Sequence, residues 1–180
     1  MSEALPIYTI GHSTRTIPEF VTLLRAGGVQ LVVDIRTVPR SRTNPKYNLD
    51  VLGAELEPYQ IGHKRIAELG GLRKKSEVEP EINGLWRNQS FHNYADYALT
   101  PSFRDGLATL LNDAAQRPTA IMCAEAVWWR CHRRIVADYL LFEGRTVLHL
   151  MGHNTVTPAT MTQGAFASDN RIRYPAVTSK

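Results

Sequence analysis

Apolar positions along the chain follow two rhythms. Leu5 to Ile10 is a β-branched and aromatic run closed by Gly11, which predicts a strand. Thr16-Ile17-Pro18-Glu19 then opens a helix: Thr16 caps, Pro18 fits the first turn, and Glu19 completes a capping box. Phe20, Leu23 and Leu24 recur at helical spacing until Gly27-Gly28 ends the run. Gln30 to Asp34 is a second strand, almost wholly apolar, as in a parallel sheet covered on both faces. A β-α-β opening of this kind implies a right-handed crossover.

Ile35 to Asn48 carries prolines, Asn44, Ser41 and basic residues, and reads as a loop long enough to be functional. Leu49 to Leu56 reads as a short helix and Pro58 to Ile66 as the place of a third strand. Gly70 to Asn93 reads as irregular surface chain, followed by a helical turn over Tyr94 to Leu99. From Thr100, a cap and Pro101 lead an amphipathic helix with Phe103, Leu107, Leu110 and Leu111 on one side. Thr119 to Met122 is a buried strand, Ile135 to Leu141 a helix with an apolar face, and Thr146 to Leu150 the last strand. The tail from Ser168 is polar and expected to fray. Alternating strands and helices give a three-layer, Rossmann-like α/β fold with a mostly parallel sheet. Residues 4–167 form its single domain and 168–180 a polar C-terminal tail.

Composition narrows the class. The chain has 180 residues, 43% hydrophobic and 21% charged, enough for one core and too few for two comfortable domains. No apolar run approaches the ~18 residues of a membrane span, so no membrane partner is expected. Two cysteines do not make a disulfide scaffold, and the first residues lack a secretory pattern, so a reducing cytoplasm with both thiols free is the expectation. The net charge of +4 suits an anionic small molecule or nucleic acid, and equally a solvated basic face.

The chemistry gathers at strand ends, where ligands bind in open α/β sheets. The first strand ends at His12 and Ser13, and the second at Asp34, Arg36, Arg40, Ser41 and Arg42. The cysteine-bearing strand ends at Cys123 and Glu125, and the last strand at His149 and His153. Cys123 feeding a helix is the expected nucleophile, its thiolate favoured by the helix N-terminus and by Arg130 or Arg133. His132 or His12 is the expected base, with Glu125 orienting the imidazole and Asp34 a second acid/base candidate. Ser13, Arg36, Arg40, Ser41, Arg42, Arg130 and Arg133 are the expected substrate-binding set.

The bland readings are specific too. A free cysteine at the end of an apolar run is more often packing than chemistry. Arg36 and Arg40 can pair with Asp34 or Glu125 and organise the rim without binding anything. Trp128 and Trp129 can pack rather than stack on a base.

Several motifs are excluded by spacing. Six residues separate Cys123 from Arg130, where the phosphatase loop has five, and the gap lacks its glycines. Seven residues separate the cysteines and Cys131 adjoins His132, which matches no common zinc site. No phosphate-loop or dinucleotide fingerprint occurs. Neither metal nor cofactor is therefore expected.

Thr9-Ile10-Gly11-His12-Ser13, Val33-Asp34-Ile35-Arg36 with Pro39-Arg40-Ser41-Arg42, Glu68-Leu69-Gly70-Gly71, and Cys123-Ala124-Glu125 with Cys131-His132-Arg133 occur in this order. Together they resemble the "domain of unknown function 488" family, over nearly the whole chain. The resemblance implies a Rossmann-like α/β fold and a compact bacterial or archaeal cytoplasmic protein, and it supplies no reaction. The apolar Val127-Trp128-Trp129 departs from the more polar family pattern and suggests a partner surface or an apolar substrate wall. The residues thus support an enzyme with a Cys/Arg/His anion site for a phosphorylated or nucleotide-like substrate. The alternative is a non-catalytic module that binds a nucleotide or nucleic acid. Thiol reactivity separates the two. The oligomeric state is not legible in the sequence.

Overall fold

The computed structural model describes residues 4–152 and 155–177. Strands β1 (Ile7–Gly11), β2 (Leu31–Asp34), β3 (Gly62–Arg65), β4 (Thr119–Cys123), β5 (Val147–Met151) and β6 (Thr155–Pro158) form one sheet in the order β3-β2-β4-β1-β5-β6. The first five are parallel, and β6 returns antiparallel to β5. A hairpin of β7 (Phe166–Ser168) and β8 (Arg171–Arg173) stands apart from it.

Among the described residues five α-helices flank the sheet: α1 (Ile17–Ala26), α2 (Leu49–Leu56), α3 (Gln89–Tyr97), α4 (Pro101–Gln116) and α5 (Arg133–Phe142). Side chains alternate across each strand, so the central strands β1, β2 and β4 feed two cores. Ile10, Val32, Ala120 and Met122 meet Phe20 and Leu24 of α1 and Leu52 and Leu56 of α2. Ile7, Val33 and Ile121 meet Phe103, Leu107 and Leu110 of α4 and Ile135, Val136 and Leu140 of α5. Each fully buried Leu, Ile or Phe stabilises the fold by roughly 1.5–3 kcal/mol. The expected three-layer, mostly parallel α/β architecture is therefore the one observed. No helix among the described residues is long and apolar enough to cross a membrane.

The capping box at Thr16 and Glu19 forms, with both reciprocal bonds present. Two expectations need correction. The chain before Asn93 is not irregular throughout: Asn88 accepts from the N–H groups of Ser90 and Phe91 and starts α3 four residues before Asn93. Nor does the tail fray from Ser168. Arg171-Ile172-Arg173-Tyr174 alternates with period two, and Ile172 and Tyr174 are fully buried. The Tyr174 N–H donates to Asn83 Oδ1 at 3.1 Å, and its hydroxyl donates to Asp138 at 2.7 Å. Charge at the alternate positions hid a core-facing strand.

Strand order positions the site. β4 lies between β1 and β2, with Gly11 opposite Cys123 and Asp34 opposite Met122. The carboxyl ends of three strands therefore open side by side.

Candidate functional site

Backbone contacts hold those strand ends together. The N–H groups of His12 and Ser13 donate to the carbonyls of Cys123 and Ala124, both at 2.9 Å. Gly11 lies directly against the Glu125 carbonyl, where a Cβ would also come within 2.8 Å of the Ala126 Cα. Only glycine fits there, which explains the Gly11-His12 motif without a catalytic role for it. Ser13 takes a left-handed φ of 45° to complete the turn.

Cys123 does not feed a helix directly, contrary to expectation. A 3-10 turn over Trp128–Arg130 intervenes, and α5 begins at Arg133. The thiol at the helix start is Cys131, whose sulfur accepts from the Arg133 N–H at 3.4 Å. The connection folds back, so the two sulfurs lie 2.7 Å apart. Cys123 is 3% exposed and Cys131 7%.

His132 completes the pair. Its Nε2 lies 2.7 Å from the Ile35 carbonyl and its Nδ1 3.4 Å from the Cys131 sulfur. A carbonyl only accepts, so Nε2 carries the hydrogen and Nδ1 of the neutral ring offers a lone pair to the thiol. Two neighbours fix the ring. Tyr94 packs edge-on at 5.0 Å. Gly71 faces the imidazole where a Cβ would stand 2.7 Å from Cε1. The Glu68-Leu69-Gly70-Gly71 motif thus makes room for a histidine sixty-one positions away.

Arg133 lies beneath, with no exposed surface. Its guanidinium donates to the Glu125 carbonyl at 2.6 Å and to Thr9 Oγ1 at 3.2 Å. It pairs with no carboxylate among the described residues; burial lowers its proton affinity, and the charges of Cys123 and Cys131 outweigh that and raise it. Burial works against a thiolate at Cys131. The hydrogen bond from the Cys123 thiol, then His132 and Arg133, outweigh it and hold Cys131 well below the ordinary thiol value. Burial, followed by the Cys131 charge, pushes Cys123 in the opposite direction. The opposed shifts favour Cys123 over Cys131 as the holder of a proton between the two sulfurs.

A second buried group organises the β2 end. Asp34 accepts from Arg36 Nε at 2.9 Å, from Arg36 NH2 at 2.7 Å and from the Arg36 backbone N–H at 3.0 Å. Arg36 also donates to the Tyr47 carbonyl at 2.6 Å and to His12 Nε2 at 3.3 Å. His12 donates from Nδ1 to the Ser13 carbonyl at 3.0 Å and stacks on Tyr47. Both of its ring nitrogens are engaged, and burial lowers its proton affinity. His149 is buried beneath Trp128, stacked at 4.5 Å, with Nδ1 2.6 Å from Thr9 Oγ1. Burial, then the Arg133 charge, lower its pKa to about 4. His153 lies outside the described residues.

A pocket of about 420 Å³ opens beside the two cysteines. Cys123, Glu125, Arg130, Cys131, His132 and one edge of Arg36 line it, with Asn88 and Phe91 at the start of α3 forming the far wall. Arg130 and Glu125 are exposed at the mouth. Arg133 lies under the floor, and His12 and Asp34 sit behind Arg36. Ser13, Arg40, Ser41 and Arg42 do not line the pocket. Ser41 instead organises its own loop, accepting from the Asn44 N–H at 3.0 Å. Among the described residues no three His, Cys, Asp or Glu side chains converge as a metal set.

Cys131 rather than Cys123 is the thiol at the helix start, and Gly71, Thr9 and Asn88 border the site without having stood out in the sequence. The signal for Cys131 was its place one residue before His132 at a helix start. Comparison with known families matches residues 16–140 to one described as "Domain of unknown function DUF488". No curated protein and no solved structure matches the chain.

Proposed function

The chain belongs to the DUF488 family, a family described without a reaction, and we propose that its pocket is the active site of a thiolate enzyme. Cys131 is the nucleophile, His132 accepts its proton through Nδ1, and Cys123 holds the thiolate by donating S–H. The substrate is a small molecule with an anionic group, phosphorylated or nucleotide-like, whose charge Arg130 meets at the mouth. Arg36 shapes the wall, because its fork is already filled by Asp34.

One observation carries this reading. Arg133 is a buried guanidinium with no carboxylate partner among the described residues, and Cys123 and Cys131 are the anionic groups whose charge acts on it. A buried charge without a counter-charge is unfavourable, and the carbonyls of Glu125 and Ala126 offset this only as dipoles, so an anion beside Arg133 is favoured. A thiolate at Cys131 supplies one, and a low-pKa thiolate beside a pocket is a reactive one. Inert core cysteines need no such neighbour.

The competing reading, a non-catalytic nucleotide or nucleic-acid module, draws on the exposed Arg40, Arg42 and Lys46 of the loop after β2. The separating experiment compares wild type with Cys131→Ser and Cys123→Ser against phosphoesters, thiosulfate and nucleic acids. Turnover lost in Cys131→Ser supports the enzyme. Binding without turnover, unchanged in both variants, supports the module.

A further inference from the structure

The two sulfurs do more than share a proton. We propose that Cys131 and Cys123 form a dithiol–disulfide couple that exchanges with small-molecule disulfides entering the pocket, Cys131 attacking and Cys123 resolving. This deepens the thiolate reading and rests on it.

Three features of the geometry support the couple. Both sulfurs line the same pocket, so an incoming disulfide reaches the thiolate without unfolding the core. Their separation of 2.7 Å is within an ångström of the ~2.05 Å of a sulfur–sulfur bond. They also belong to different elements: Cys123 ends β4, and Cys131 sits between a 3-10 turn and α5, where a small shift disturbs no strand pairing. Neither sulfur is lone, and neither is held by a metal set among the described residues.

The step balances as follows. The Cys131 thiolate attacks one sulfur of the small disulfide; a bond forms to Cys131, the original sulfur–sulfur bond breaks, and a thiolate leaves. The first departing thiolate takes the proton that His132 Nδ1 received from Cys131; Cys123 then attacks Cys131 Sγ, and its own proton passes to the vacated Nδ1 and on to the second departing thiolate. The mixed disulfide breaks and the second small thiol leaves. Two electrons pass from the protein to the small disulfide, which ends as two thiols, and the protein ends bridged.

Arg133 sets the direction in which the couple prefers to run. In the reduced protein its buried charge faces a thiolate; in the bridged protein it faces two neutral sulfurs. The reduced form is thus electrostatically favoured, and the bridge is a ready oxidant toward thiols. A small thiol returns the pair to its reduced state by the same steps in reverse.

The test uses the whole chain with hydroxyethyl disulfide as probe at neutral pH, followed by mass spectrometry and peptide mapping. A parallel iodoacetamide reaction reports the thiolate itself. The expected wild-type product is a Cys123–Cys131 bridge, two hydrogens lighter than the reduced chain. Cys123→Ser is expected to stop at a mixed disulfide on Cys131 that persists roughly tenfold longer or more, and Cys131→Ser is expected not to react at an appreciable rate. A stable mixed disulfide on wild-type Cys131, with rapid alkylation there, overturns the couple and leaves the thiolate enzyme standing. Attack through Cys123 instead overturns the assigned roles. Resistance of both cysteines to both reagents overturns the couple and the thiolate reading together. The wild-type arm decides these outcomes without relying on any variant to fold.

Discussion

His132 Nε2 donates to the Ile35 carbonyl at 2.7 Å across ninety-seven residues, and this bond determines what the other ring nitrogen can do. With Nε2 protonated, the neutral ring presents Nδ1 to Cys131, 3.4 Å away. The residue that follows β2 therefore sets the tautomer of a base at the N-cap of α5. Gly71 is the third party, since a side chain there would occupy the ring's place.

Gly71→Ala is expected to displace His132 and slow Cys131 alkylation at neutral pH. The thiolate fraction falls about tenfold for each unit the thiol rises. Overpacking adds a stability loss of about 1–3 kcal/mol. Alkylation rates and urea midpoints measure the two effects. An alanine protein alkylated at the wild-type rate would show that His132 does not assist Cys131.

Cys123→Ala removes the S–H donor and should move the pH inflection of Cys131 alkylation upward, toward the ordinary thiol value of 9.0. Cys123→Ser, which keeps a donor, should restore much of the shift. The same upward movement in both variants would mean that packing around the pair, not the hydrogen bond, sets the thiolate.

The strand ends were legible in the sequence because apolar runs closed by Gly11, Asp34 and Cys123 are local signals. Which strand ends meet was not, since it depends on β4 inserting between β1 and β2. Arg36 illustrates the difference. Its pairing with Asp34 two residues away was readable, while its bond to His12 required the fold. Gly71 gave no hint of His132, because a glycine's reason lies in what approaches it. The tail was misread because Arg171 and Arg173 masked Ile172 and Tyr174.

Asp34→Asn tests whether that carboxylate is structural. It strips the counter-charge from a buried guanidinium, and removing one partner of a buried pair costs about 3–5 kcal/mol. Denaturant unfolding reads the loss. A folded, equally stable protein that has lost only turnover would assign Asp34 to catalysis instead.

His149 makes stability depend on pH. Its folded value is depressed from 6.5 to about 4, so between these values the unfolded chain binds more protons. The stabilising effect is complete above 6.5, declines as pH falls, and is exhausted below about 4. Wild type should lose roughly 3 kcal/mol more across that window than His149→Phe, which can keep the stack on Trp128 but cannot titrate. Burial depresses His12 in the same direction, so the difference between the two proteins, not the wild-type slope, isolates His149. Parallel pH profiles would mean that His149 protonates freely in the folded state.

The most direct test of the site is a pH titration of thiolate ultraviolet absorbance in wild type and Cys131→Ser. A thiolate step well below 9.0 in wild type, absent from Cys131→Ser, is the predicted result. A first step at or above 9.0, or a low step that survives the loss of Cys131, would contradict it.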